Sequence, residues 1–245
     1  MKALEEKKVE MLGKVYHMLT LAYGVPPTEF TWSQRDKDGK VVSTDKYTPL
    51  SFYNKLWGYD LNNDYVLVMN DPSREYYKVY QIEYDRHTYD GHDWVYLNLP
   101  NEEVKPMLIA SLKDSTAMYI SCDVNKFLNR QKGVMDLKNF DYESLLGVTM
   151  TMDKKERIIT HASASSHAMT LIAVDIDKST SKPTKWMVEN SWGKENGFKG
   201  NYIMTDEWFN EYMFRFVLNK KYVPESIAKL LKQKPIKLPA WDPMF

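Results

Sequence analysis

Two stretches decide how this chain reads: "SSHAMTLIAVDID", residues 165–177, and "KWMVENSWGKENGFKGNYIM", residues 185–204. The first puts a His at the head of an apolar run. The second puts an Asn, a Trp and several glycines after another such run. Two apolar runs joined by a short polar turn predict neighbouring antiparallel strands, which bring His167 and Asn190 together across a sheet although 23 positions separate them. The Asn side-chain oxygen can then hold one imidazole nitrogen and leave the other free to exchange a proton with a nucleophile. Neither residue is diagnostic alone, because a His at a strand head also serves as a satisfied structural histidine and an Asn also ends strands and opens turns.

Outward from this pair, candidate strands at 167–175, 185–191, 201–204 and 213–219 predict one twisted antiparallel sheet. Upstream, Val9, Leu12, Val15, Tyr16, Leu19, Ala22 and Tyr23 recur at three- and four-residue steps, predicting a helix over 2–23 that ends at Gly24 before Pro26 and Pro27. "FTWSQRDKDGKVVS" reads as a hairpin turning at Asp38-Gly39, and "TPLSFYNKLWG" as a helix with Thr48 as N-cap and Pro49 at its first position. "DYVLVMNDP" and "YKVYQIEY" are β-rich, "NEEVKPMLIASLKDS" is a helix with Val104, Leu108 and Leu112 on one side, and "TAMYISCDV" is a strand. Residues 125–164 read as a polar loop region; a short helix from Pro224 carries Ile227, Leu230 and Leu231, and an extended tail follows. The expected division is a helical and hairpin region over 1–115 and a sheet lobe over 116–245.

Composition bounds the function. The 245 residues are 43% hydrophobic and 13% aromatic, enough for a sizeable core. With 33 basic and 33 acidic side chains the formal net charge is zero, so no field favours nucleic acid or anionic lipid. The longest apolar runs are too short to span a bilayer and "MKALEEKKVEML" is charged where a signal peptide is apolar, so the expected location is the cytoplasm. A lone cysteine, Cys122, excludes an internal disulfide framework. His17, His87 and His92 have no metal-like spacing with carboxylates or thiols, and no metal or cofactor is expected.

The wording around His167 and Asn190 is specific. "ENSWG" at 189–193, between a strand and "GFKGNYIM", resembles the Asn-Ser-Trp-Gly segment of papain-like cysteine peptidases. "SHAMT", "KWMVENSWG", "GFKGNYIMTDEWFNEYMF" and "PAWDPM" resemble the bleomycin hydrolase and bacterial aminopeptidase C branch of that superfamily. So do "PPTEFTWSQRDKDGK", "TPLSFY", "NDPS", "SCDVNKF" and "DYESLLGV". The resemblance implies an α+β chain forming the C-terminal portion of a papain-like fold, with His167 as catalytic imidazole, Asn190 as its orienting amide and Trp192 as hydrophobic cover. His161, Ser163, Ser165 and Ser166 match no role in it and read as loop residues. Cys122 lies in a strand, with neither the preceding Gly nor the following Trp of the family's nucleophile, and reads as a structural cysteine.

The resemblance therefore implies a nucleophilic Cys outside this chain, a cytoplasmic aminopeptidase acting on short peptides, and a homohexamer. The alternatives are a non-catalytic peptide-binding or structural module and, more remotely, a hydrolase dependent on Cys122. In the resembled aminopeptidases small residues continue past Asp-Pro-Met and a terminal carboxylate meets the substrate's amino group. Phe245 after Met244 departs from that pattern and predicts that an enzyme rebuilt with the Cys-bearing half cleaves internal bonds or N-terminally blocked peptides at least comparably to free N-termini.

Overall fold

The structure, a computed structural model, describes residues 2–88 and 90–244. It divides into two compact units between Tyr59 and Asp60. The division expected at 115/116 is not where contacts thin out, because residues 65–98 contribute three strands to the main sheet.

The first unit holds α1 (Lys2–Tyr23), β1 (Phe30–Arg35), β2 (Val41–Tyr47) and α2 (Pro49–Leu56). Gly24, at φ 83°, ends α1 where the sequence predicts, and its N–H reaches the Thr20 carbonyl at 2.9 Å. No residue of α1 is buried. The β1–β2 turn is closed by Asp36, whose Oδ1 accepts the N–H groups of Asp38 and Lys40 at 2.9 and 3.0 Å. Thr48 caps α2 through a reciprocal box with Ser51. Phe30, Trp32 and Tyr47 then meet the Phe52 ring edge-on at 5.1–5.3 Å, which joins hairpin to helix.

The second unit runs α3 (Leu61–Asp64), β3 (Tyr65–Met69), β4 (Lys78–Ile82), β5 (Val95–Asn98), α4 (Asn101–Lys113), β6 (Met118–Cys122), β7 (Leu128–Asn129), β8 (Val134–Met135), α5 (Tyr142–Leu146), α6 (Lys154–Ile159), β9 (His167–Ile176), β10 (Pro183–Glu189), β11 (Asn201–Thr205), α7 (Asp206–Tyr212), β12 (Met213–Asn219), α8 (Glu225–Ala228) and β13 (Ile236–Leu238). Among the described residues its sheet has eleven strands in the order β13-β4-β5-β3-β12-β6-β9-β10-β11-β8-β7. The centre, β3-β12-β6-β9-β10-β11, is antiparallel throughout and contains the four strands expected at 167–175, 185–191, 201–204 and 213–219, with β6 inserted between β12 and β9 and β3 added beside β12. The flanks are not: β3 with β5, β4 with β13 and β8 with β11 pair in parallel.

Trp186, Trp208, Phe209 and Phe216 are completely buried. Phe209 stacks on Trp186 at 4.8 Å and Asp206 accepts the Trp186 indole N–H at 2.9 Å, so α7 is pinned to β10. Truncating one of these rings to Ala costs about 3–5 kcal/mol. The tail is fastened as well. β13 adds beside β4, buried Asp242 pairs with Arg74, and the Met244 carbonyl accepts from the Arg215 guanidinium. Phe245, on which the expectation about the tail's end rests, lies outside the described residues.

Candidate active site

β9 and β10 form a hairpin because Asp177 organises the turn between them. Its carboxylate accepts the Ser179 hydroxyl and the Ser179 and Thr180 N–H groups, and these bonds hold it at about 2. The pairs Val188↔Leu171 and Glu189↔Thr170 set the register, with a bulge between Met187 and Val188. His167 opens β9 opposite Cys122 of β6. Asn190 lies one residue past β10, its N–H bonded to the Gly200 carbonyl at 2.9 Å as the chain turns away. That turn needs Gly197: at φ 61°, an added Cβ would lie 2.4 Å from the Tyr202 ring and 2.5 Å from the Asn201 carbonyl oxygen.

The His167 Nε2 and Asn190 Oδ1 atoms are 2.9 Å apart. Oδ1 also accepts the Ser191 backbone N–H at 2.8 Å, and only an oxygen can do that, so the amide orientation is determined. It follows that Nε2 carries the proton given to Asn190 and that neutral His167 presents a bare Nδ1 on its other side. Asn190 Nδ2 is buried and has no hydrogen-bond partner among the described residues. The Trp192 ring lies 4.7 Å from the imidazole, tilted by 34°, and meets Tyr202 edge-on at 5.9 Å. The three residues singled out in the sequence thus converge in space.

Residues read as plain loop prove to be tethers. Buried Asp123 accepts the Ser163 hydroxyl at 2.7 Å and the Ser166 hydroxyl at 3.4 Å, the Ser166 N–H reaches the Cys122 carbonyl at 2.9 Å, and the Ser165 and Ser121 hydroxyls pair. These bonds fasten the segment that leads into His167. No local sequence signal announces them, since their partners sit some forty positions upstream. His161 stands in this loop at φ 57° and is exposed, and His17, His87 and His92 lie elsewhere in the chain. Cys122 is wholly buried, and burial, with the Asp123 charge beside it, pushes its thiol well above the ordinary range.

A groove of about 340 Å³ lined by Tyr119, Ala168, Thr170, Glu189, Asn190 and Ser191 adjoins the Asn190 side of the site. A larger cavity of about 870 Å³, bordered by Phe127, Tyr142, Met150, Arg157 and Tyr212, includes none of His167, Asn190 or Trp192. Among the described residues no group of His, Cys, Asp and Glu could hold a metal ion, and no helix is long and apolar enough to cross a membrane.

Comparison with known proteins follows the same lines. The model of the Peptidase C1-like family matches residues 1–245. The chain is 40% identical over 239 residues to bleomycin hydrolase of Homo sapiens, covering 96% of this chain and 52% of that protein. To aminopeptidase C of Lactobacillus delbrueckii subsp. lactis it is 37% identical over 246 residues, covering 98% and 54%. A crystal structure of PepW from Lactobacillus rhamnosis HN001 superposes with a TM-score of 0.91 at 34% identity, covering 99% of this chain and 55% of that one. The chain spans about half the length of the curated relatives it matches.

Proposed function

Because the chain belongs to the Peptidase C1-like family, we propose that it supplies the His and Asn of a cytoplasmic cysteine peptidase that hydrolyses short peptides. The observation that carries this reading is the His167–Asn190 contact at 2.9 Å with the amide held by the Ser191 N–H. Asn190 keeps the Nε2 proton in place, so Nδ1 is the nitrogen available to a nucleophile. A thiolate from a cysteine other than Cys122 attacks the scissile carbonyl carbon while His167, as imidazolium, holds the proton on Nδ1. That proton passes to the departing amine as the C–N bond breaks. Water then attacks the thioester, yields its proton to Nδ1, and the thiolate leaves. Trp192 keeps water from competing for the His167–Asn190 bond. No cofactor enters these steps; peptides are the substrates, a Cys-bearing N-terminal half is a partner if it is separately encoded, and homohexamer assembly follows the resembled branch.

The test is reconstitution. The chain alone should not turn over an aminoacyl-coumarin substrate. With a Cys-bearing half from a relative it should do so, and His167→Ala should then lower kcat by at least about 10²-fold. Full activity in reconstituted His167→Ala would overturn the reading. A peptide-binding module without chemistry is the second reading, supported by the burial of Cys122, the only thiol in the chain. Peptide binding with no turnover after reconstitution would favour it.

A further inference from the structure

The turn between β7 and β8 lies against the glycine-rich turn after Asn190. Gly133, at φ 66°, would carry a Cβ only 2.5 Å from the Gly197 Cα, and its carbonyl accepts the Ile203 N–H at 2.8 Å. The two turns therefore meet backbone to backbone, with no room for a side chain between them. This close approach delivers Arg130 to Trp192: the guanidinium carbon is 4.7 Å from the indole centroid, and Nη2 donates to Asn125 Oδ1 at 3.3 Å. The same indole lies 4.7 Å from the His167 ring. Trp192 is half-buried against the core and Arg130 is exposed, and the cation on the open side of the ring adds an attraction that an apolar contact lacks.

We infer that Arg130 is a positioning residue for His167, acting through Trp192: it clamps the indole against the imidazole and so keeps the His167–Asn190 hydrogen bond from exchanging with water. This rests on the reading of His167 and Asn190 as a proton-handling pair.

The chain labelled with ¹⁵N-histidine tests the inference without any need for turnover, His167 being assigned by its loss in His167→Gln. Arg130→Ala should speed solvent exchange of the His167 Nε2–H about two- to fivefold, the range set by an exposed cation–π contact. It should also move the imidazole proton shifts towards those of Trp192→Leu. Arg130→Lys, which keeps a cation, should restore most of the protection, and Arg130→Met should not. The melting temperature should stay at the wild-type value in all three Arg130 variants, as for an exposed substitution. Wild-type exchange in Arg130→Ala, or restoration by Met as complete as by Lys, overturns the clamp. Asn190→Ala separates the two readings: a ¹⁵N tautomer signature unchanged in that variant sinks the His–Asn pairing itself, whereas a changed signature with normal exchange in Arg130→Ala sinks only the role of Arg130.

Discussion

Lys154 opens α6, yet its ammonium is buried among neutral oxygens: Asn70 Oδ1 and the Met213 carbonyl at 2.6 Å and the Asn210 carbonyl at 3.1 Å. Burial pushes it down to about 7, against the pull of Glu211 and Asp71 and with help from Arg157 and Lys105. The folded value lies below the ordinary 10.5, so between about 7 and 10.5 the unfolded chain holds a proton that the native chain has released. Stability attributable to this group therefore rises with pH across that window, by up to about 1.4 kcal/mol per pH unit. Urea unfolding at pH 7, 8 and 9 should show this rise in wild type and a flatter profile in Lys154→Met; equal slopes would refute it. Cys122 is the second residue-level case: buried and held as thiol, it should react with a thiol reagent only at the rate of opening, and rapid native-state labelling would contradict that. The two differ in legibility. Cys122 sits in an apolar run and is read as structural from its neighbours, whereas the partners of Lys154 are 56 to 84 positions away and the lysine itself looks like any loop cation. His167, Asn190 and Trp192 were legible because "SHAMT" and "ENSWG" carry their context within a few residues.

Among elements, the tether before β9 shows what a sheet needs in order to hold a side chain at its end. His167 is the first residue of its strand, where fraying is greatest, and Asp123 ties down the preceding loop through Ser163 and Ser166. Asp123→Ala leaves the buried Ser163 hydroxyl without that acceptor and should cost about 1–3 kcal/mol. Amide exchange should quicken across 163–168 before it does in β10, and uniform loss of protection would argue against a local tether. Gly133→Ala is a harsher change, forcing backbone apart at both turns and straining a positive φ; a melting temperature within a degree of wild type would show that the two turns do not depend on this contact. α1, α4, β9 and β10 were readable because one period holds over many residues, and the short α2 because Thr48 and Pro49 mark its start. β7 and β8 have two residues each, too few for any period; β8 is held by its pairing with β11 and by the bond from Asn139 to the Val134 carbonyl, partners that no local pattern announces. α7 escaped for a different reason: Thr205 caps it and Asp206 and Glu207 fill its first turn, but the aromatic residues around them have the composition of a strand.

For the molecule as a whole, the distribution of apolar surface matters more than its amount. The second unit buries its sheet under α4 and α7, while the first leaves Val9, Leu12, Val15, Tyr16 and Leu19 of α1 each more than half exposed. Leu145, Leu146, Val148 and Met150, after and within α5, are exposed in the same way. Burying an aliphatic side chain of this size contributes about 1.5–3 kcal/mol, so either stripe offers enough to drive association once several residues are covered together. A 22-residue helix with no buried side chain also lacks the packing that stabilises most helices, so its order depends on what covers it. The expected outcome is concentration-dependent self-association in sedimentation velocity. Leu12→Glu with Leu19→Glu should weaken it, and Leu145→Glu with Leu146→Glu should weaken it independently. The cooperative melt of the second unit should be unchanged by the α1 pair, because those side chains contribute nothing to a buried core. A monomer at every concentration, with α1 amides protected from exchange as strongly as those of β9, would show that the helix is stable without a covering surface and would defeat the argument.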